Sequence, residues 1–115
     1  MLQRISEQTL VNQIIAYLKF MGHYAWRTNT GAMTTKEGRF VRFGFKGVSD
    51  ILGVLKGGSF IAIEAKIKPN KPTQFQLDFL DEINKRGGIG IVAYDLDDVV
   101  NALSKLDEEE WLLQI

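Results

Sequence analysis

The chain has 115 residues, 45% hydrophobic and 24% charged, which is the size and balance of one globular domain with its own core. It contains no cysteine, which excludes disulfide frameworks, zinc–thiolate sites and cysteine nucleophiles. No stretch reaches the roughly 18 apolar residues of a membrane span, and no secretion signal is visible. We therefore expect a single cytoplasmic domain over residues 1–115, with no membrane partner.

The formal charge of the chain is zero, but its two signs are separated along the sequence. Residues 27–86 carry eleven basic and six acidic side chains, a net charge of +5, whereas residues 87–115 carry one basic and seven acidic side chains, a net charge of −6. A polyanion responds to the local basic surface rather than to the total charge. The pattern favours a nucleic-acid partner, although ordinary solvated surface charges explain it equally well.

The first third of the chain predicts one helix and one short strand. Ser6 is a suitable cap for a helix that runs to about Phe20, with an apolar face and Gly22 as its stop. Residues 24–28 read as a strand, residues 29–31 as a turn and residues 34–38 as a polar loop.

Two apolar runs, residues 48–55 and 60–66, are separated by a tight glycine-containing turn and predict an antiparallel hairpin. Side chains alternate between the faces of a strand, so Glu64 and Lys66 share one face. In a hairpin, the start of the first strand lies beside the end of the second. Asp50 is therefore expected close to Glu64 and Lys66.

The remaining third predicts a helix, a strand and a helix. Thr73 caps the first of these helices, which glycines 87 and 88 end, and residues 89–94 form a buried strand. Asp95 and Asp97 are candidate caps for the last helix, and residues 107–110 read as a solvated end.

Two polar residues fall on the inward faces of predicted helices. Glu7 lies in line with the apolar residues of the first helix. Gln76 lies in line with the apolar residues of the helix that Thr73 caps. For Glu7 the alternative is a carboxylate that stabilises the helix dipole by ~0.3–1 kcal/mol. For Gln76 the alternative is a glutamine satisfied by the backbone.

Charged groups at the end of a buried strand are either a partnered ion-pair cluster or a reactive site. Two carboxylates suit Mg²⁺ or Mn²⁺, hard ions that keep several waters and accept phosphate oxygens. Such an ion would polarise a phosphodiester and help deprotonate water. Lys66 would then position the water or stabilise the pentacovalent phosphate.

Basic side chains suited to nucleic acid lie on both sides of the hairpin. Residues 39–47 alternate basic and aromatic side chains with glycine, a pattern that suits nucleic-acid backbones and exposed bases but also an amphipathic edge strand. The connector of residues 67–72 is basic and follows the reactive strand end. The candidate DNA contacts from these two segments are Arg39, Arg42, Lys46, Lys68 and Lys71.

Five short motifs follow one another in an order that resembles a known nuclease family. They are Glu7 in the first helix, residues 26–31 (WRTNTG), residues 47–50 (GVSD), residues 64–66 (EAK) and residues 76–79 (QLDF). The series resembles the VRR-NUC (virus-type replication-repair nuclease) family of the PD-(D/E)xK nuclease superfamily, over residues 5 to about 100. Ser49 stands where the superfamily name has proline, which offers no metal-binding atom.

The resemblance implies an α/β fold with a restriction-endonuclease-like core, in which the elements run α-β-β-β-α-β and helices flank a mixed central sheet. It implies that Asp50 and Glu64 ligate the metal and that Lys66 serves the attacking water. Glu7 and Gln76 would complete the catalytic site. Arg27 and Asn29, which belong to the second motif, either contact DNA or shape the loop.

The resemblance also implies a homodimer that acts on branched DNA such as four-way (Holliday) junctions, whereas fused members of the family act on flaps. We therefore expect a Mg²⁺-dependent endonuclease of DNA replication or repair, of phage type, which accepts Mn²⁺ and is associated with nucleoid or viral DNA. One alternative is a catalytically silent DNA-binding module on the same fold. The others are a flap or other branched-DNA nuclease and an assembly protein whose acidic tail meets a partner.

Overall fold

The computed structural model describes residues 4–28, 31–43 and 46–113, with side chains over 4–28, 34–41 and 46–106. The described elements, in chain order, are α1 (Glu7–Phe20), β1 (Tyr24–Arg27), β2 (Gly31–Thr34), β3 (Phe40–Phe43), β4 (Ile51–Val54), β5 (Phe60–Ala65), α2 (Gln74–Lys85), β6 (Ile89–Ala93) and α3 (Leu96–Leu113). None of the described helices is long and apolar enough to cross a membrane.

Helix α1 begins and ends as the sequence predicts. The Ser6 hydroxyl accepts a hydrogen bond from the main-chain N–H of Thr9, which satisfies one of the free donors of the first turn. The helix is capped at Met21, and Gly22 follows with a φ of 88°. Its buried face consists of Leu10, Val11, Ile14 and Leu18.

The main sheet has four strands in the order β1-β4-β5-β6. The β1/β4 and β4/β5 pairs are antiparallel, whereas β5 and β6 run parallel and are connected through α2. The predicted mixed sheet flanked by helices is therefore confirmed. Within the β4–β5 hairpin Ile51 lies opposite Ile63, so the start of β4 and the end of β5 meet at one end of the sheet.

The two faces of this sheet have different partners. One face forms the core with α1 and α3, in which Ile61, Ile63 and Val99 are fully buried. The other face packs against α2, which lies on β5 and β6. The approach is close: a Cβ at Gly90 would lie 2.5 Å from the main-chain oxygen of Leu80, so α2 rests directly on β6. Because residues alternate along β5, Glu64 belongs to the α2 face.

Two local predictions need correction. Residues 31–34 form strand β2, which pairs with β3 in a separate two-stranded sheet, where the sequence predicts a turn and a loop. Residues 107–110 belong to α3, and the side chains of the predicted solvated end lie outside the described part of the chain. Of the two candidate caps for α3, Asp95 accepts a hydrogen bond from the N–H of Asp98, and Asp97 lies in the first turn.

Candidate functional site

Asp50 lies immediately before β4 and is fixed to the end of β5 by two hydrogen bonds. Its Oδ2 accepts from the main-chain N–H of Ala65 at 2.9 Å, and its own N–H donates to Oε2 of Glu64 at 3.2 Å. The β4–β5 register, which places Ile51 opposite Ile63, brings these groups together. The sequence prediction that Asp50 lies beside Glu64 is thus confirmed as geometry.

Glu64 is a buried carboxyl, with a side chain that is only 3% exposed. The pKa of this carboxyl is raised from 4.5 to about 7, chiefly by burial and then by the neighbouring Asp50 charge, while Lys66 opposes both effects. In the absence of a cation, this environment therefore favours the neutral form of Glu64.

Lys66 follows β5 and lies on the same face as Glu64. Its Nζ is 3.5 Å from Oε1 of Glu64, and the side chain is 14% exposed. The main-chain N–H of Lys66 donates to the carbonyl of Ala93 on β6, which holds the residue in line with the strand. The ammonium group therefore pairs with Glu64, the buried carboxyl.

Gln76 connects the cap of α2 to the buried carboxyl. Its Oε1 accepts from the N–H of Thr73 at 2.8 Å, and its N–H donates to the Thr73 hydroxyl, which completes a capping box. Its Nε2 then donates to Oε1 of Glu64 at 2.9 Å. The amide is thus satisfied by the backbone and also hydrogen-bonds the buried carboxyl, whereas a catalytic role of Gln76 stays a prediction.

The loop before Asp50 packs directly on the first turn of α2. Gly47 has a φ of 92°, and a Cβ there would lie 2.4 Å from the main-chain oxygen of Phe75, so only glycine fits. The preceding residue, Lys46, places its Nζ 4.1 Å from the centre of the Phe75 ring. The glycine of the 47–50 motif thus allows the chain to bring Asp50 and Gln76 into one site.

Two further residues hold Asp50, and the sequence analysis missed both. The Thr28 hydroxyl donates to the carbonyls of Ser49 and Asp50 at 2.7 and 3.2 Å, and its N–H donates to the Asp50 carbonyl. Ser49 is fully buried, and its hydroxyl donates to the Ile51 carbonyl at 2.9 Å. Both residues hydrogen-bond main-chain carbonyls rather than the carboxyl groups. Their contribution depends on the pairing of β1 with β4, which the sequence does not predict.

Glu7 lies in the first turn of α1 and is half-buried, but it makes no hydrogen bond or ion pair with the residues that the structure describes. The other end of α1 meets the β4–β5 turn, where Nδ1 of His23 accepts from the Lys56 N–H. Because α1 spans about 21 Å, its N-terminal end extends toward the end of the sheet that carries Asp50. The structure gives no contact between the Glu7 side chain and Asp50 or Glu64, so its role in the site stays a prediction.

The candidate DNA contacts lie on different parts of the fold. Arg27, Arg39, Lys46, Lys68 and Lys71 are all exposed. Lys68 lies 5.5 Å from the centre of the Tyr94 ring. Arg39 belongs to the β2–β3 hairpin and is thus on a different sheet from the carboxyls. Asn29 and the side chain of Arg42 lie outside the described part of the chain.

The donor set fits a hard divalent cation. Asp50 and Glu64 supply carboxylate oxygens at one place, and a cation between them would offset the repulsion between their charged forms. Within the described residues no cluster of three or more His, Asp or Glu side chains is present. The pair therefore matches Mg²⁺ or Mn²⁺, which take one or two carboxylates and complete their shell with water and phosphate oxygens.

Comparison with known proteins agrees with this geometry at the level of the fold. No protein-family model and no curated protein sequence matches the chain. A solved structure described as a VRR_NUC domain superposes with a TM-score of 0.61 at 20% sequence identity, covering 87% of this chain and 97% of the other. The resemblance that the motifs indicate is therefore confirmed for the architecture: this chain has the fold of the VRR_NUC domain.

Proposed function

We propose that this protein is a metal-dependent nuclease that hydrolyses phosphodiester bonds in DNA. The observation that carries the proposal is the convergence of Asp50, Glu64 and Lys66 at the end of the β4–β5 hairpin. Buried carboxyls that repel one another are costly as a purely structural feature, because hydrophobic residues of similar volume would pack there at lower cost. A VRR_NUC fold around this arrangement supports a nuclease over a structural ion pair.

Asp50 and Glu64 would hold the cation, which when bound polarises the phosphodiester and lowers the pKa of a coordinated water. The chain's own residues account for the remaining functions. The Lys66 ammonium, beside Glu64 and partly open to solvent, orients the attacking water or offsets charge on the phosphate oxygens. Gln76 fixes Oε1 of Glu64, which keeps the carboxylate plane in one orientation.

We further propose that the substrate is branched DNA and that the active form is a homodimer. Exposed Arg27, Lys46, Lys68 and Lys71 provide cations around the carboxyl pair that suit the phosphates of DNA. The motif resemblance supports a four-way junction as substrate and a homodimer as the active form, since resolution of a junction needs paired cuts. Glu7 is proposed to complete the site from the start of α1.

The test is a cleavage assay on end-labelled four-way junction, flap, linear duplex and single strand, each with Mg²⁺, Mn²⁺ or a chelator. We expect cutting that requires the metal, is strongest on the junction, and falls by about 10²–10³-fold in Lys66→Ala. Lys85→Ala is the matched control, because that lysine is exposed on α2 and pairs only with Asp81 and Glu82.

Each alternative gives a different result in this assay. Binding of every substrate without cutting would overturn the enzyme in favour of a DNA-binding module, and preferential cutting of the flap would overturn the junction as substrate. Equal activity of wild type and Lys66→Ala would remove that lysine from the mechanism. A monomer in light scattering of the active protein would contradict the homodimer.

A further inference from the structure

Two aromatic side chains stand exposed on the edge strand of the main sheet. Tyr24 and Trp26 alternate with the buried Ala25 along β1, so they share one face. Their ring centroids are 5.3 Å apart, with 49° between the ring planes. Tyr24 is 71% exposed and Trp26 is 38% exposed. Exposed aromatic side chains placed side by side mark a site for a ligand with a flat apolar face.

This aromatic pair lies on the same face of the sheet as the carboxyls. Trp26 is opposite Leu52, which is two residues from Asp50, so all three side chains point to the same side. The next residue on that side of β1 is Thr28, whose N–H and hydroxyl bind the Asp50 carbonyl. A strand advances about 7 Å in two residues. Measured along the strand direction, Trp26 therefore lies about 7 Å from Asp50, and Tyr24 lies about 7 Å further in the same direction.

The face that carries the carboxyls and the aromatic pair extends past helix α2. Helix α2 covers β5 and β6, and β4 and β1 continue the same face beyond it. Leu52 and Val54, the β4 residues opposite Trp26 and Tyr24, are half-buried. A DNA strand with a phosphate at the Asp50–Glu64 pair would thus continue onto the two rings.

A protein partner is a weaker explanation of the pair. Two aromatic side chains bury at most about 500 Å², whereas a stable protein interface buries ~800 Å² per partner. A nucleobase matches the pair in size, and bases stack on aromatic side chains whatever their sequence. Lys66 stands beside the carboxyls on the face that also carries the rings, so this face offers a cation that suits a phosphate.

We propose that Tyr24 and Trp26 form a stacking platform for an unpaired nucleobase of the substrate, one or two nucleotides from the phosphate that is cut. The inference rests on the proposed nuclease function and specifies its substrate class. Bases inside a duplex are stacked on their neighbours and cannot reach the platform without being extruded. The platform therefore selects DNA with unpaired nucleotides beside the cut, as at a flap or at the branch point of a junction.

The test uses Trp26 as its own reporter. The chain has two tryptophans, so Trp111→Phe leaves Trp26 as the single fluorophore, and Asp50→Asn in the same protein prevents cutting. We expect a single-stranded oligonucleotide and a flap to quench the emission, and a blunt duplex of equal length to leave it unchanged. Tyr24→Leu should weaken binding of the single strand by about tenfold. Phe20→Leu is the control, because that ring is 88% exposed on α1 and lies away from the sheet face.

The possible results distinguish failure of the stacking platform from failure of the proposed nuclease function. Metal-dependent cutting by the wild-type protein without quenching, and with unchanged affinity in Tyr24→Leu, would overturn the platform and leave the nuclease standing. Quenching without cutting would retain the platform and overturn the nuclease. Protein that binds none of the oligonucleotides would overturn both. A dimer that dissociates in Tyr24→Leu, with DNA binding unchanged, would assign the rings to a second copy of the chain instead.

Discussion

Asp50 and Glu64 hold one another in place through their neighbouring main chains. The N–H of Asp50 donates to Oε2 of Glu64 at 3.2 Å, and Oδ2 of Asp50 accepts from the N–H of Ala65, the residue after Glu64, at 2.9 Å. Neither carboxyl can turn away without breaking a hydrogen bond at the end of the hairpin. The pair is thus preorganised, and a bound cation would not have to order it.

Stability of the metal-free protein should fall as the pH rises through the titration range of Glu64. The pKa of Glu64 is about 7 in the folded protein, whereas the ordinary value of 4.5 applies to the unfolded chain. Between these two pH values the folded protein keeps a proton on Glu64 that the unfolded protein has lost. The contribution of this protonated carboxyl to stability is therefore complete below about pH 4.5, and it is lost as the pH rises through about 7. The loss is on the order of 3 kcal/mol.

The measurement is the free energy of urea unfolding of wild type and Glu64→Gln between pH 4.5 and 8, both in chelator. The difference between the two proteins isolates Glu64 from the other titrating groups. We expect the wild-type curve to fall relative to that of the variant as the pH increases. Parallel curves would show that Glu64 titrates normally and would contradict its assigned burial and coupling to Asp50.

Gln76→Ala should weaken both the helix and the site. The variant loses the capping box of α2, which is worth ~1 kcal/mol, and it removes the donor to Oε1 of Glu64. Thermal unfolding and cleavage rate measure the two effects. Gln74→Ala is the control, because its amide bonds only the exposed Asp78 and should change stability by less than ~0.5 kcal/mol. Full activity in Gln76→Ala would exclude a role for that amide in positioning Glu64.

Thr28→Val should reduce divalent-cation affinity although Thr28 is not proposed to touch the ion. Valine keeps the shape of the side chain but removes the donor to the Ser49 and Asp50 carbonyls, which costs about 1–2 kcal/mol of stability and loosens Asp50. Thr28→Ser retains the hydroxyl and should restore cation binding. If Thr28→Val loses stability while its cation affinity matches the wild type, Thr28 is structural only.

Gly47→Ala should disturb the site more than a surface glycine substitution does. The added Cβ would lie 2.4 Å from the Phe75 carbonyl oxygen, and a φ of 92° is unfavourable for alanine. We expect a loss of at least ~2 kcal/mol in unfolding free energy. Gly58→Ala is the matched control, because its φ is 100° and nothing lies within 4 Å of the added carbon. Equal losses in the two variants would show that backbone strain alone, and not contact with α2, is responsible.

The sequence predicts the parts of this fold that depend on local patterns. The tight turn between two apolar runs was sufficient to place Asp50 beside Glu64, and the inward position of Gln76 followed from its spacing to the apolar stripe of α2. Strand β2 was missed because its four residues, Gly31–Thr34, have no alternation and begin with glycine.

Long-range pairing marks the limit of the sequence prediction. Nothing in residues 24–28 indicates that β1 pairs with β4, so the hydrogen bonds from Thr28 to Asp50 could not be foreseen. The same pairing places Trp26 on the face of the carboxyls. The motif WRTNTG alone does not show which face its tryptophan occupies.

The central claim is that Asp50 and Glu64 form a divalent-cation site, and Mn²⁺ binding tests it without assuming any substrate. Titration of the protein with Mn²⁺, with free Mn²⁺ followed by electron paramagnetic resonance, should show saturable binding at neutral pH that is lost in Asp50→Asn and competes with Mg²⁺. Equal Mn²⁺ uptake by wild type and Asp50→Asn, or no saturable uptake by the wild type, would contradict the site.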